Sequence, residues 1–384
     1  MTGPTPPFDR IYTTHVGSLP RPDTLLAQMR ADQTAPEFDP AVLETELRAG
    51  VSAVVARQVS AGLDVISDGE FSKPSYATYV AERLAGFSGE FRGHAARDLL
   101  DYRQFARHLV AIGSVVPTAG GAFCRGAVAM KDTAALNRDL DNLQHAVARS
   151  GPVGAFMNAA SPGVIALFQQ NEYYPSEDEY LEAIALAMRQ EYESIVAAGF
   201  LLQIDSPDLA MGRHLAFAER SDDEFLRLAE RNVEALNLAV SRIPADRMRL
   251  HVCWGNYPGP HHRDIPLEAI VPVVLRARPA YLLLEGANPR HEHEWAVFRD
   301  AELPDDKVLV PGVIDSTSNY IEHPELVAQR ICRYAGLVGR ERVMAGSDCG
   351  FSTFSGYPTV YPEIAWAKLA SLVEGADRAS ELLW

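Results

Sequence analysis

Four residues of this sequence have the types and spacing for metal chemistry: His251 and Cys253 in LHVCWGN, Glu285 in YLLLEGAN, and Cys349 in AGSDCGF. Each ends a short apolar run that reads as a buried β-strand, so in a parallel barrel all four converge on one rim. His251 and Cys253 are separated by one residue, and in an extended segment that spacing turns both side chains to one face, within reach of one ion. Two thiolates, an imidazole and a carboxylate suit zinc, and a carboxylate in the set is more typical of a catalytic site than of a closed structural one. The residues alone also leave a plainer reading open. His251 reads equally as a hydrogen-bonded core histidine, and each cysteine as a small buried hydrophobe. Glu285 resists that reading, because a buried carboxylate is costly unless it is paired or bound to metal. Cys124 and Cys332 read as packing residues. The pairs His261 with His262 and His291 with His293 read as solvated, since HEHEW is not HExxH and residues two apart face different sides of a helix.

The elements that must position these residues alternate along the chain. RIYTTHVGS reads as a first strand, ETELRAGVSAVVARQVSAG as a helix ending at Gly62, and LDVISDGE as a second strand. From about 71 to 128 no period is sustained, and this stretch is expected to be a long irregular insertion after strand two. GPVGAFMNAAS is strand three, SEDEYLEAIALAMRQEYESIVAAG a serine-capped helix, and FLLQIDSP strand four. The helix SDDEFLRLAERNVEALNLAVSRI, strand MRLHVCWG, helix PLEAIVPVVLRA, strand AYLLLEGA, helix HEHEWAVFR and strand KVLVPGVIDS follow, then ELVAQRICRYAGLVG and RVMAGSDCG as the last helix and strand. Nearly continuous apolar strands with a polar residue at almost every end predict one domain spanning 1–384, an α/β (β/α)8 TIM barrel rather than a doubly wound open sheet. The strand ends then gather His15, Ser18, Asp68, Glu70, Asn158, Ser161, Asp205, Asp208, Asp315 and Asp348 around the four metal candidates.

Composition sets the outer bounds. The chain has 384 residues, 47% of them hydrophobic, and a formal net charge of −16, a balance that disfavours nucleic acid or an anionic membrane as partner. The start MTGPTPPFDR lacks the pattern of a signal peptide and no apolar run reaches a membrane span, so a cytoplasmic protein is expected. Four cysteines without a CxxC pair make no disulfide framework and leave thiols for metal or catalysis.

The motifs TTHVGSLPRP, DVISDGEF, FLLQIDSPDLAMGR, HVCWGN, LLLEGAN, PGVIDS and GSDCGF, in this order over about 11–370, resemble the catalytic barrel of cobalamin-independent methionine synthase and its single-barrel relatives, including epoxyalkane:coenzyme M transferase. The resemblance implies Zn2+ bound by His251, Cys253, Glu285 and Cys349, activating a small-molecule thiol as thiolate for attack on an alkyl donor. It further implies that Gly17, Ser18, Glu70 and Asp205 hold the amino acid part of homocysteine, with methyltetrahydrofolate as the methyl donor. Two carboxylates suit an ammonium group and repel a bare sulfonate unless a cation intervenes; Arg21, Lys73, Arg213 and Arg290 are the available cations.

Two positions depart from the pattern. Ser206 in IDSP stands where a carboxylate is expected, and Thr317 in GVIDSTS where the family places the histidine associated with protonating the folate leaving group. Threonine does not titrate near neutral pH, so Asp315, His323 and His15 are the catalytic candidates for that role. The expected activity is methyl transfer to homocysteine or a related small thiol from a methylfolate or another methyl donor, and demethylation of a small methylated compound fits the same site. The alternatives are thiol addition to an epoxide, a non-catalytic barrel with a structural zinc, and a lyase resembling uroporphyrinogen decarboxylase, which the intact metal set argues against.

Overall fold

Apolar runs buried on both faces form parallel strands, and here they curl into a ring. The structure, a computed structural model, describes residues 3–34, 39–91, 93–112, 121–357 and 359–384. Its strands are β1 (Val65–Ile66), β2 (Leu84–Phe91), β3 (Gly121–Met130), β4 (Gly154–Ala160), β5 (Gln170–Asn171), β6 (Leu201–Asp205), β7 (Met248–Val252), β8 (Tyr281–Leu284), β9 (Val308–Ile314) and β10 (Gly346–Ser347). A parallel sheet runs β1-β4-β6-β7-β8-β9-β10. Thr13 and Thr14 close it: Thr13 bridges Ala345 and Thr14 bridges Val65, both in parallel. The Thr14 N–H donates to the Ala345 carbonyl at 2.9 Å and the Val65 N–H to the Thr13 carbonyl at 3.0 Å. The eight expected barrel strands are thus present in chain order, although the first is only a pair of bridges rather than the whole of RIYTTHVGS.

Alternation along each strand sorts side chains between lumen and outer shell. Val65, Phe156, Leu201, Tyr281, Leu283, Val308 and Val310 form a separate apolar cluster with Phe8, distinct from the main core under the helices. Two residues further along the same strand faces stand Asn158, Gln203 and Arg249, and beyond these Asp205, His251 and Glu285. Arg249 marks the boundary: its guanidinium lies 3.7 Å from the Phe156 ring centroid and donates to Thr14 Oγ1 at 3.0 Å and the His15 carbonyl at 2.8 Å.

The helices start where the sequence supplies caps. Asp39 accepts from the Ala41 N–H ahead of Pro40–Ser60, Ser176 from Glu179 ahead of Glu177–Ala197, and Ser221 with Glu224 forms a capping box ahead of Asp222–Ala239. The stretch 71–128 is not irregular as expected. It contains the antiparallel pair β2 and β3 and the short helices Val80–Arg83, Arg97–Asp101 and Arg103–Ala111, while 92 and 113–120 lie outside the described residues. Glycines and small residues in β3 blur the alternation by which a strand is recognised. The helices Asp23–Thr34, Ala134–Ser150 and Pro362–Leu383 carried no expectation, and HEHEWAVFR forms a 3-10 turn, Glu292–Arg299, instead of an α-helix. Among the described residues no helix is long and apolar enough to cross a membrane.

The last helix closes against Pro324–Val338 at Gly375, where an added Cβ would sit 2.4 Å from Val327 Cβ. Replacing Gly375 by alanine is therefore expected to cost about 1–3 kcal/mol through overpacking, despite alanine's better helix propensity. Urea unfolding measures this, and a stabilised variant would contradict the close approach.

Candidate metal centre and the cavities around it

His251 lies inside β7 and Cys253 just beyond its end; Cys349 follows β10. One ligand atom from each of the three lies within 4.8 Å of the other two, and His251 Nε2 is 3.4 Å from Cys349 Sγ. Tetrahedral zinc at about 2.3 Å from sulfur and about 2.0 Å from nitrogen requires separations of roughly 3.5 Å between N and S. The three side chains are buried, 4–7% exposed, and present two sulfurs and an imidazole nitrogen to one point, so the donor set fits the ion. The Cys349 thiol hydrogen bond pushes Cys253 well below the usual thiol range, with His251 adding to it, while burial pushes Cys349 up. Deprotonation of one thiol of the pair is thereby favoured.

Glu285, the expected fourth ligand, stands outside the trio. Its Oε1 accepts from the Trp254 N–H at 2.8 Å and its Oε2 from Asn288 Nδ2 at 2.6 Å. Burial pushes its carboxyl up to about 8. Asp348 clamps the same turn: its carboxylate accepts from the N–H groups of Gly286, Ala287 and Asn288 at 2.8–2.9 Å. Asn256, which the sequence reading passed over within HVCWGN, ties three loops together by donating to the Gly350 carbonyl and Thr353 Oγ1 and accepting from Ser316 Oγ.

Two cavities meet at Cys349, Gly255 and Asn256. The larger, about 240 Å³, exposes Ser18, Glu70, Asp205, His251 and Cys253 at its floor. Asp205 is held by Asn158 Nδ2 at 3.0 Å and Gln203 Nε2 at 2.9 Å. Glu70 has a left-handed backbone, φ +58°, a conformation a non-glycine residue holds only when its surroundings impose it. Asp68 Oδ1 accepts the Glu70 N–H at 2.9 Å, and Arg21 donates to the Glu70 carbonyl. Burial, then repulsion from Asp205, pushes Glu70 up to about 8. Gly17 is required beside them, since a Cβ there would come within 2.3 Å of Glu70 Oε1.

The smaller cavity, about 170 Å³, joins Glu285, Asp315, Thr317, Asp348, His261 and Arg290. Thr317 donates through both N–H and Oγ1 to Asp315 Oδ1. Two catalytic candidates lie elsewhere. His15 is wholly buried, bonded to Gln58 Oε1 at 2.7 Å and pushed by burial to about 3, and His323 is an exposed helix cap accepting from the Glu325 N–H. Neither lines either of these two cavities, whereas Asp315 lines the smaller one together with Glu285 and Cys349. Ser161 caps the helix Pro162–Phe168 and binds Asp208, so both are structural. Ser206 carries a buried hydroxyl without a partner.

The histidine pairs also need correction. His262 and His293 are exposed as expected, but His291 is 2% exposed, its ring centroid 4.1 Å from that of Trp254. Asp264 gathers His261 at 2.9 Å, His291 at 3.0 Å and His214 at 3.2 Å; its charge and Glu294 raise His291 to about 10, and Asp264 raises His261 to about 9. This network braces the Trp254–Tyr257 loop from behind.

Residues 11–96 and 169–374 match the family described as cobalamin-independent synthase, catalytic domain. The chain is 27% identical over 377 residues to methionine synthase of Saccharolobus solfataricus, covering 97% of this chain and 95% of the relative. It is also 27% identical to 2-hydroxypropyl-CoM lyase of Xanthobacter autotrophicus, covering 95% and 94%. Its fold matches a B12-independent methionine synthase from a Shewanella species with a TM-score of 0.72 at 18% identity, over 97% of this chain and 99% of the other. The chain belongs to the cobalamin-independent synthase family of methionine synthase-like transferases.

Glu70 yields a pH prediction. Its folded value of about 8 lies above the roughly 4.3 of an unfolded glutamate, so the folded state retains a proton the unfolded state has lost, and stability falls as pH rises from about 4.5 to about 8. Glu70→Gln should therefore gain stability relative to the wild type between pH 5 and pH 8. Urea unfolding at the two pH values checks this; an unchanged difference would count against it.

Proposed function

We propose that the protein is a zinc-dependent alkyltransferase that transfers a methyl or other alkyl group to the sulfur of homocysteine or a related small amino-acid thiol. The observation that carries this reading is the opening of the buried His251–Cys253–Cys349 trio onto a cavity whose floor also presents Glu70 and Asp205. Glu70 and Asp205 suit the ammonium of an amino acid, because a cation bound between them favours the ionised form of Glu70, which burial and Asp205 otherwise keep protonated. Zinc held by these three side chains, with Glu285 as fourth ligand, would supply the acidity that keeps a substrate thiol ionised at neutral pH. Glu285 already has two alternative partners, Trp254 N–H and Asn288, and can yield its position to an arriving sulfur.

Coenzyme M fits this floor poorly as acceptor. Its sulfonate would face Glu70 and Asp205, and no Lys or Arg is among the described residues of the larger cavity. Methyltetrahydrofolate is the donor that the sequence resemblance implies, yet Thr317 brings no titratable group to its loop, which leaves Asp315 as the nearest acid. Free thiols at the site suit a reducing compartment, in keeping with a cytoplasmic enzyme.

The expected result is about one zinc per chain and an S-alkylated homocysteine detected by mass spectrometry. Cys253→Ser should weaken zinc binding by more than the roughly 10–100-fold typical of outer-shell changes and abolish the product while leaving the circular dichroism unchanged. Turnover by metal-free protein would refute the proposal.

A further inference from the structure

Above its charged floor the larger cavity has an apolar wall, and aromatic rings make one side of it. Tyr76, Phe168 and Phe354 all line the cavity, with Leu99 and Val110 completing the wall. The Tyr76 ring stands between the other two. Its centroid is 6.0 Å from that of Phe168, with 88° between the planes, and 6.0 Å from that of Phe354, with 65°. A pair crossed so steeply forms a corner whose two sides are ring faces, and each face carries the negative part of the ring quadrupole. Bridges to Ser75 and Tyr357 hold Phe354 in place. Burial pushes the Tyr76 hydroxyl well above its usual range and charge on Cys253 and Cys349 pushes it further, which sets this ring beside the sulfurs. Leu99 and Val110 arrive on the helices Arg97–Asp101 and Arg103–Ala111. Asp98 ties these helices to the loop after Cys253, accepting from the Tyr257 hydroxyl at 2.8 Å and the His261 N–H at 2.9 Å.

The floor does not decide the charge of the second substrate. Burial raises Asp68 and Glu70 while Lys73 and Arg21 pull them back, and burial lowers Arg249 while Asp205 supports its charge. These cations offset the carboxylates, and the acceptor's ammonium occupies Glu70 and Asp205. The wall decides instead. Its ring faces are free of the nearest cations, since Lys73 lies over Tyr79 and Arg249 over Phe156. The lining also holds no spare acid. Burial lowers His94 and His214, which keeps both rings neutral, and the other titratable groups of the lining are tyrosines, the metal candidates and the two carboxylates that the ammonium fills. Asp315 lies in the smaller cavity, bonded to Thr317. A leaving group that must be protonated as it departs is poorly served here. One that departs neutral from a cation needs no proton, and a cation is also the guest that ring faces hold. Away from water, thiolate and cation attract strongly, and their charges cancel as the reaction proceeds.

We infer that the alkyl donor is a methylated onium cation, a sulfonium or a quaternary ammonium, held against the rings of Tyr76, Phe168 and Phe354. This rests on the alkyltransferase reading and names its donor class. In the reaction a bond forms between the thiolate sulfur and the methyl carbon. The bond from that carbon to the onium sulfur or nitrogen breaks, and its electron pair stays on the departing atom, which leaves as a neutral sulfide or amine. The proton that the thiol gave up on ionising goes to solvent, and no oxidant or reductant is needed.

The test is ligand-observed NMR titration of the zinc-loaded protein, with homocysteine present to fill the floor. The probes are choline, its uncharged carbon isostere dimethylbutanol, and methyltetrahydrofolate. Choline is expected to bind at least about 10-fold more tightly than either of the others. Tyr76→Leu and Phe354→Leu remove ring faces and should each cut the preference over dimethylbutanol by at least about 3-fold, whereas Tyr76→Phe should keep it. Dimethylbutanol or methyltetrahydrofolate binding as tightly as choline, or no saturable binding of choline, overturns the inference. An unchanged preference in both leucine variants, or its loss in Tyr76→Phe, overturns the role of the rings. Incubation with homocysteine separates the two onium types: dimethyl sulfide released from trimethylsulfonium marks a sulfonium donor, and dimethylaminoethanol released from choline an ammonium donor. Release of neither, while another donor alkylates homocysteine, overturns the inference as well. Failure of the alkyltransferase reading registers separately, as protein that takes up no zinc or forms no thioether with any donor, whichever ligand binds.

Discussion

One buried carboxylate holds the rim of this barrel together. Asp348 takes three backbone N–H groups and the Asn288 amide from the turn after β8, and so joins the loop that carries Cys349 to the loop that carries Glu285. Burial raises its carboxyl to about 6, and the backbone donors hold it down from going further. The arrangement demands space: a Cβ on Gly312 would reach 2.0 Å from Asp348 Oδ1, so the adjacent strand must carry glycine there. Losing the carboxylate would leave three N–H groups buried and unpaired at about 1–3 kcal/mol each, and would free both loops to drift.

Below that rim the lumen is graded. Apolar side chains fill the bottom, Arg249 and Gln203 form a hydrogen-bonded middle tier, and the reactive groups stand at the top. Period two makes the grading automatic, since residues at i, i+2 and i+4 of one strand occupy successive levels. Leu201, Gln203 and Asp205 illustrate it on β6, and Arg249, His251 and Cys253 continue it on and beyond β7. The middle tier keeps the acids from sinking into hydrocarbon, and the apolar floor denies them water from beneath. Among the described residues, two cavities above open onto this level, and both are lined by Cys349.

The barrel and the convergence of His251, Cys253 and Cys349 were legible because both depend on local pattern. Apolar runs mark strands, and polar residues at their ends mark the rim. Strand ends do not say whether a side chain turns into the lumen or out to a helix, so His15, which faces Gln58, looked like a site residue. His323 sits in the right loop but spends its nitrogen on a helix cap. The Asp264 network was hidden because its histidines lie far apart in sequence and beside charged neighbours that suggested solvent. Only the fold lays His291 on Trp254. The apolar wall was illegible for a similar reason: Asp98 and Tyr257 are 159 positions apart, and nothing local in the sequence says that the helices Arg97–Asp101 and Arg103–Ala111 dock beside that loop.

The central claim is that a substrate sulfur joins the two protein sulfurs at a metal held by His251, Cys253 and Cys349. X-ray absorption at the zinc edge, with and without homocysteine, tests it most directly. A shell with two sulfurs at about 2.3 Å that gains a third on adding homocysteine is the predicted result. A shell that homocysteine leaves unchanged would contradict it, because the metal would then be structural and the thiol would have to be activated elsewhere.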